Sequence, residues 1–119
     1  MYCNNMSKVE RYFRLAKTIA LKGDNRKYRL GAVGIRTDGA IVTASNIPSR
    51  QPHAKAHAEA RLTKKLNRGS EVFVVRILRS GMLDNAHPCM KCQKAMRLRG
   101  VRRAYYSISN DEYGVINFS

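Results

Sequence analysis

The eight residues 71–78, EVFVVRIL, constrain the fold of this chain more than any other stretch. They are β-branched and nearly continuous in apolar character, without the alternation of a strand that shows one face to water. They read as a strand covered on both faces, and such strands sit in mid-sheet. Helical patterns on either side of the stretch supply the covering layers. From Met6 to Lys22 the apolar residues Val9, Tyr12, Phe13, Ala16 and Ala20 recur at the spacing of one helical face, with Gly23 as the stop. A second helix is expected over roughly Ala54–Asn67, closed by Gly69, and a third over about Cys89–Arg99, closed by Gly100. YRLGAVGIRTDGAIVTASN reads as two strands joined at Thr37-Asp38-Gly39. VRRAYYSI and VINFS flank the turn-forming SNDEYG and read as a closing hairpin. IPSRQPH, with two prolines in five residues, reads as a loop. The order α, β, β, α, β, α, β, β predicts an α/β protein, a three-layer α/β/α fold with a five-stranded mixed sheet.

With 119 residues the chain suits one domain, 1–119, with a core of its own. Its 23 Lys and Arg against 8 Asp and Glu give a net charge of +15, a surface that attracts phosphate-bearing partners. No apolar run reaches the roughly 18 residues of a membrane span, and the opening MYCNNMSK lacks a secretory apolar region. The expectation is a soluble, intracellular, cytoplasmic protein without a membrane partner. Three cysteines, Cys3, Cys89 and Cys92, suit metal binding better than a disulfide framework, with Cys3 a thiol near the terminus.

The chemistry gathers at two expected helix starts. Cys89 and Cys92 are three apart, which on a helix puts both sulfurs on one side, and a helix N-terminus favours the thiolate that binds metal. Pro88 sits at a natural helix-opening position. Adding His57 gives three ligands that suit Zn2+ and leave a fourth position for water. Glu59, two residues on, points away from His57 on a regular helix. As a carboxylate beside such a water, it can take its proton and return it to a substrate nitrogen.

H-A-E at 57–59 and P-C-M-K-C at 88–92, in this order and at this separation, resemble the zinc-dependent cytidine and deoxycytidylate deaminase superfamily, whose H-x-E and P-C-x-x-C signature they carry. The resemblance extends from about Lys8 onward and implies a cytidine deaminase-like fold. It implies His57, Cys89 and Cys92 as zinc ligands and Glu59 as the catalytic proton shuttle. It further implies that Asn46 contacts the sugar hydroxyl, that main-chain groups near Ala32 and at Ala58 face the base, and that Ala86 and His87 line the pocket mouth. A dimer or tetramer is implied by resemblance alone.

A histidine as first ligand resembles the deoxycytidylate and polynucleotide branches, whereas the closing hairpin resembles the free-cytidine branch. The expected reaction is conversion of cytosine to uracil, with release of ammonia, in cytidine, deoxycytidine or their monophosphates. Two other readings stand beside it. One is a deaminase of single-stranded DNA or RNA, acting on cytosine or on adenosine in tRNA, with the basic surface holding the strand. The other is a non-catalytic basic zinc module in which His53, four residues before His57, closes the site. For His57 and Glu59 the plain alternative is a solvated helix face, with Glu59 paired to Lys55 or Arg61. Tyr105 and Tyr106 are expected on opposite faces of a strand, at least one of them in the core. The cations from Lys91 to Arg103 could track a phosphate backbone or be solvated faces.

Overall fold

The structure, a computed structural model, describes residues 7–22, 29–46 and 58–118. Helix α1 (Lys8–Lys22) opens the chain, followed by strands β1 (Arg29–Ile35) and β2 (Ile41–Ser45) and helix α2 (Ala58–Thr63). Strands β3 (Glu71–Ile77) and β4 (Leu83–Asp84), helix α3 (Met90–Arg99), and strands β5 (Arg103–Ser107) and β6 (Tyr113–Asn117) complete it.

Five strands run in the order β2-β1-β3-β5-β6, and the two-residue β4 pairs with β3 off this path. The sheet therefore has six strands where five were expected. A two-residue strand formed by tertiary pairing, Arg76 with Asp84 and Ile77 with Leu83, leaves no periodicity to read. β3 is central as expected, antiparallel to β1 and parallel to β5, and the other pairings are antiparallel.

The residues of β3 alternate between two cores. Phe73, Val75 and Ile77 join Ala16 and Ala20 of α1 on one face, with Val9, Tyr12, Phe13 and Tyr105 packed around them. Val72 and Val74 join Leu62 and Leu66, Cys92 and Met96 on the other. Tyr105 stacks on Phe73 at 4.6 Å, whereas Tyr106 packs against the α2/α3 core, so the two tyrosines face opposite ways as the sequence requires. Close approach of α1 depends on Gly31. A Cβ there would overlap the Ala16 carbonyl oxygen and come within 2.7 Å of the Ala20 nitrogen.

Termini and turns follow local chemistry. Gly100 adopts the left-handed conformation at φ 87°, and its N–H donates to Arg97 while Val101 N–H donates to Met96, the paired bonds of a Schellman stop. In the β1–β2 turn Gly39 takes φ 87°, and Arg36 and Ala40 bond across it. Asp38 accepts from the Arg36 guanidinium and the Ala40 N–H. Arg36 foremost thereby holds the exposed Asp38 carboxyl below its ordinary 3.8.

α2 ends at Thr63 rather than at Asn67, and the expected start at Ala54 lies outside the described residues. Distant side chains take the carbonyls beyond its end. Arg99 donates to those of Leu66 and Lys64, and Arg36 to that of Lys65. Cations on α2 and just past its end also reach back to the sheet: Arg61 donates to the Ser45 carbonyl, and Lys65 to the Thr43 carbonyl at 2.7 Å.

Candidate active site

Glu59 occupies the first described turn of α2 and is only 4% exposed. This is not the solvated helix face of the plain alternative. Arg61, its proposed surface partner, donates to Ser45 on β2 instead, and Lys55 lies outside the described residues. Its neighbour Ala58 is fully buried in the same apolar cluster as Cys92, Ala32 and Ala86. Taking a carboxylate out of water is costly, so a carboxylate buried on the helix that carries this cluster has a role other than solvation.

Cys89 is the N-cap residue of α3 and Cys92 lies in its first turn. The first thiol is exposed and the second buried. Together they offer one exposed and one buried sulfur at the start of the same helix. The helix start is fixed locally. Gln93 donates its side-chain amide to the Pro88 carbonyl at 2.8 Å and its backbone N–H to the Cys89 carbonyl at 2.9 Å. His57, the third expected ligand, and His53 lie outside the described residues, as does Cys3. Among the described residues, no three His, Cys, Asp or Glu side chains form a metal-holding group. The two thiols at one helix start fit a zinc ion as half of a ligand set and need a donor from elsewhere to complete it.

Asn46 follows β2 directly and is 6% exposed. Its backbone N–H donates to the Leu30 carbonyl at 3.2 Å, and its side-chain oxygen accepts the Leu30 N–H at 2.9 Å. The amide thus replaces a backbone carbonyl in the ladder and is held rigidly on β1. Ala32 and Ala58 are fully buried and Ala86 is 5% exposed, all in one cluster. His87 is exposed, its ring set edge-on to Tyr106 at 4.9 Å. Of the residues expected at the site, Ala32, Ala58, Ala86 and Cys92 are thus brought into one cluster, with His87 beside Tyr106 at its edge.

Two residues outside the expected site set hold this region together. Buried Ser107 donates its hydroxyl to the Asp84 carbonyl at 2.7 Å, and its own carbonyl accepts the Ala86 N–H at 2.8 Å. It thereby pins the segment that leads to Pro88 and Cys89. Arg61 ties the helix that carries Glu59 to the strand that ends at Asn46.

Comparisons with known proteins bear on the family and the fold. No curated protein matches by sequence. Among solved structures, the chain is similar to a cytidine deaminase from Burkholderia pseudomallei, with a TM-score of 0.68, 15% identity, and coverage of 95% of this chain and 94% of that one. A cytidine deaminase from Mycobacterium leprae gives 0.67 at 18% identity, with 95% of each chain covered. A dCMP deaminase from the cyanophage S-TIM5 gives 0.59 at 23% identity, covering 87% of this chain and 86% of that one. These likenesses show the fold. The model of the cytidine and deoxycytidylate deaminase zinc-binding region matches residues 6–108, the span that holds the H-A-E and P-C-M-K-C motifs together with the buried Glu59 and the paired thiols of α3, and the chain belongs to that family.

Proposed function

We propose that this protein is a zinc-dependent hydrolytic deaminase that converts cytosine to uracil in cytidine, deoxycytidine or their monophosphates. The observation that carries the reading is the burial of Glu59 on a helix packed with Cys92 into one cluster. In it, His57, Cys89 and Cys92 hold the zinc ion, which when bound supplies a Lewis acid and lowers the pKa of water. Glu59 takes a proton from the attacking water and delivers it to the amino nitrogen. Water adds at C4, the C4–N bond breaks, and ammonia leaves. Asn46, anchored on β1, fixes the sugar, and His87 lies at the mouth beside Tyr106. The closing β5–β6 pair is antiparallel, the feature that resembles the free-cytidine branch and favours small substrates. The cyanophage relative of known structure was solved with dCMP and dUMP, which supports including the monophosphate.

The test is ammonia release by the zinc-loaded protein at low salt from dCMP, deoxycytidine and a cytosine-bearing single-stranded oligonucleotide at matched cytosine concentration. Faster release from a small substrate is expected. Faster release from the oligonucleotide would transfer the reading to a polynucleotide deaminase, and no release from any of them would remove the cytosine assignment.

A further inference from the structure

Strand β3 has β1 along one edge over its whole length, from Arg29 opposite Ile77 to Ile35 opposite Glu71. Its other edge is shared. β5 runs parallel to it from Glu71 to Val74, and β4 takes over in the antiparallel sense at Arg76 and Ile77. The two neighbours therefore part at Val75, and the fork opens at the carboxyl ends of the parallel pair β3 and β5, where sheets of this kind place their ligands. Ser107, the last residue of β5, falls into that fork and is 1% exposed.

Ser107 joins both branches. Its hydroxyl has one proton and two lone pairs to give. The proton goes to the Asp84 carbonyl of β4 at 2.7 Å, and the Arg76 N–H of β3 approaches the same oxygen at 3.4 Å. Ala86 N–H donates to the Ser107 carbonyl at 2.8 Å. Three residues on, the side-chain oxygen of the exposed Asn110 accepts the Leu83 N–H at 2.7 Å. Asn110 is itself held in a turn that Ile108 and Ser109 close by donating to the Glu112 carbonyl at 3.0 and 3.2 Å. The segment 83–86 thus takes three hydrogen bonds from the closing hairpin, at Leu83, Asp84 and Ala86, and two of them go to side chains. It leads straight into His87 and Pro88. The other parts of the site hang elsewhere: Glu59 is carried by α2, Cys92 is packed in the core, and Gln93 holds the start of α3 through the carbonyls of Pro88 and Cys89.

We propose that Ser107 is a positioning residue, supported by Asn110, that holds segment 83–87 in the frame the substrate needs and thereby sets substrate affinity rather than the chemical step. The part that concerns substrate rests on the deaminase reading; the frame itself rests on geometry. Without the hydroxyl, the Asp84 carbonyl loses its donor and the segment gains freedom that binding must then remove. Contacts from Ala86 and His87 at the pocket mouth act on substrate and transition state alike, so their loosening raises KM and leaves kcat. Metal is retained, because Gln93 fixes the start of α3 independently of the fork.

The experiment compares Ser107→Ala, Asn110→Ala and Asn110→Asp in the full-length, zinc-loaded protein, with deoxycytidine and dCMP as substrates. KM, kcat, zinc content and residue-resolved amide exchange are measured together. Ser107→Ala should raise KM at least about fivefold with kcat within about threefold and zinc near one per chain. Asn110→Ala, a surface change that leaves the core intact, should move KM in the same direction by less, and Asn110→Asp, which keeps the acceptor oxygen, should restore it. Exchange of the Ala86 and His87 amides should quicken by about tenfold in Ser107→Ala while the amides of β1 and of Val72–Val75 keep their protection. Unchanged KM, a fall in kcat at constant KM, loss of zinc, or a loss of protection spread over the whole sheet would each overturn the proposal. If the unsubstituted protein turns over neither substrate, the deaminase reading fails, and exchange decides for the frame: quickening confined to 83–87 upholds it and unchanged exchange overturns it.

Discussion

Glu59 sits where a carboxylate is expensive, and its consequences are best drawn at the level of single atoms. Replacing it with Gln keeps the shape and removes the proton acceptor. Turnover should therefore fall by at least about 100-fold, the range of positioned acid–base groups, while metal content stays near one per chain. Retained turnover would take Glu59 out of the mechanism. The thiols give the converse prediction. Cys89→Ala should lose the metal, because the N-cap position of α3 aims this donor from the helix start. Unchanged zinc stoichiometry would refute the assignment, and loss of metal in His53→Ala would instead favour the closed, non-catalytic site. Residue type and spacing made these groups legible, since few chemistries use H-x-E with P-C-x-x-C. Ser107 was not legible: a serine in a strand looks the same whether its hydroxyl faces water or, as here, grips the Asp84 carbonyl 23 residues away.

Among the elements, the ones with local punctuation were readable. α3 begins and ends within a residue of expectation because Pro88 and Gly100 fix both ends through backbone geometry. Gly100→Ala should destabilise the protein by about 1–2 kcal/mol, since a Cβ is strained in the left-handed region. It would also press on the Arg68 stem at 3.1 Å. Thermal unfolding tests this, and an unchanged Tm would show that the Schellman stop contributes little. α2 was misjudged at its end for the opposite reason. Its carbonyls are taken by Arg36 and Arg99, residues remote in sequence, so no local residue announces where the helix stops. β3 was readable throughout because burial on both faces leaves a strand no room for a polar alternation, and its central residues Val72–Val75 are all fully buried.

For the molecule as a whole, a net charge of +15 on 119 residues means that compaction works against self-repulsion. Among the described residues, ion pairs relieve this in a few places, such as Glu71 between Lys8 at 2.6 Å and Arg103 at 3.7 Å. Raising salt from about 10 mM to about 150 mM shortens the screening length from roughly 30 Å to roughly 8 Å, so Tm should rise over that range. A flat or falling Tm would mean that these pairs outweigh the repulsion. No helix among the described residues is long and apolar enough to cross a membrane. The two ends of the sheet also differ in how they meet other chains. Because Asn46 N–H bonds to Leu30, the carbonyls of Thr43 and Ser45, three residues and one residue earlier, face away from β1, and Lys65 and Arg61 occupy them. An incoming strand would have to displace an ammonium and a guanidinium to pair with β2. Templated growth, the route by which sheets recruit copies of themselves into fibres, is therefore closed at that border and left to β6, where Tyr113 and Val115 remain exposed.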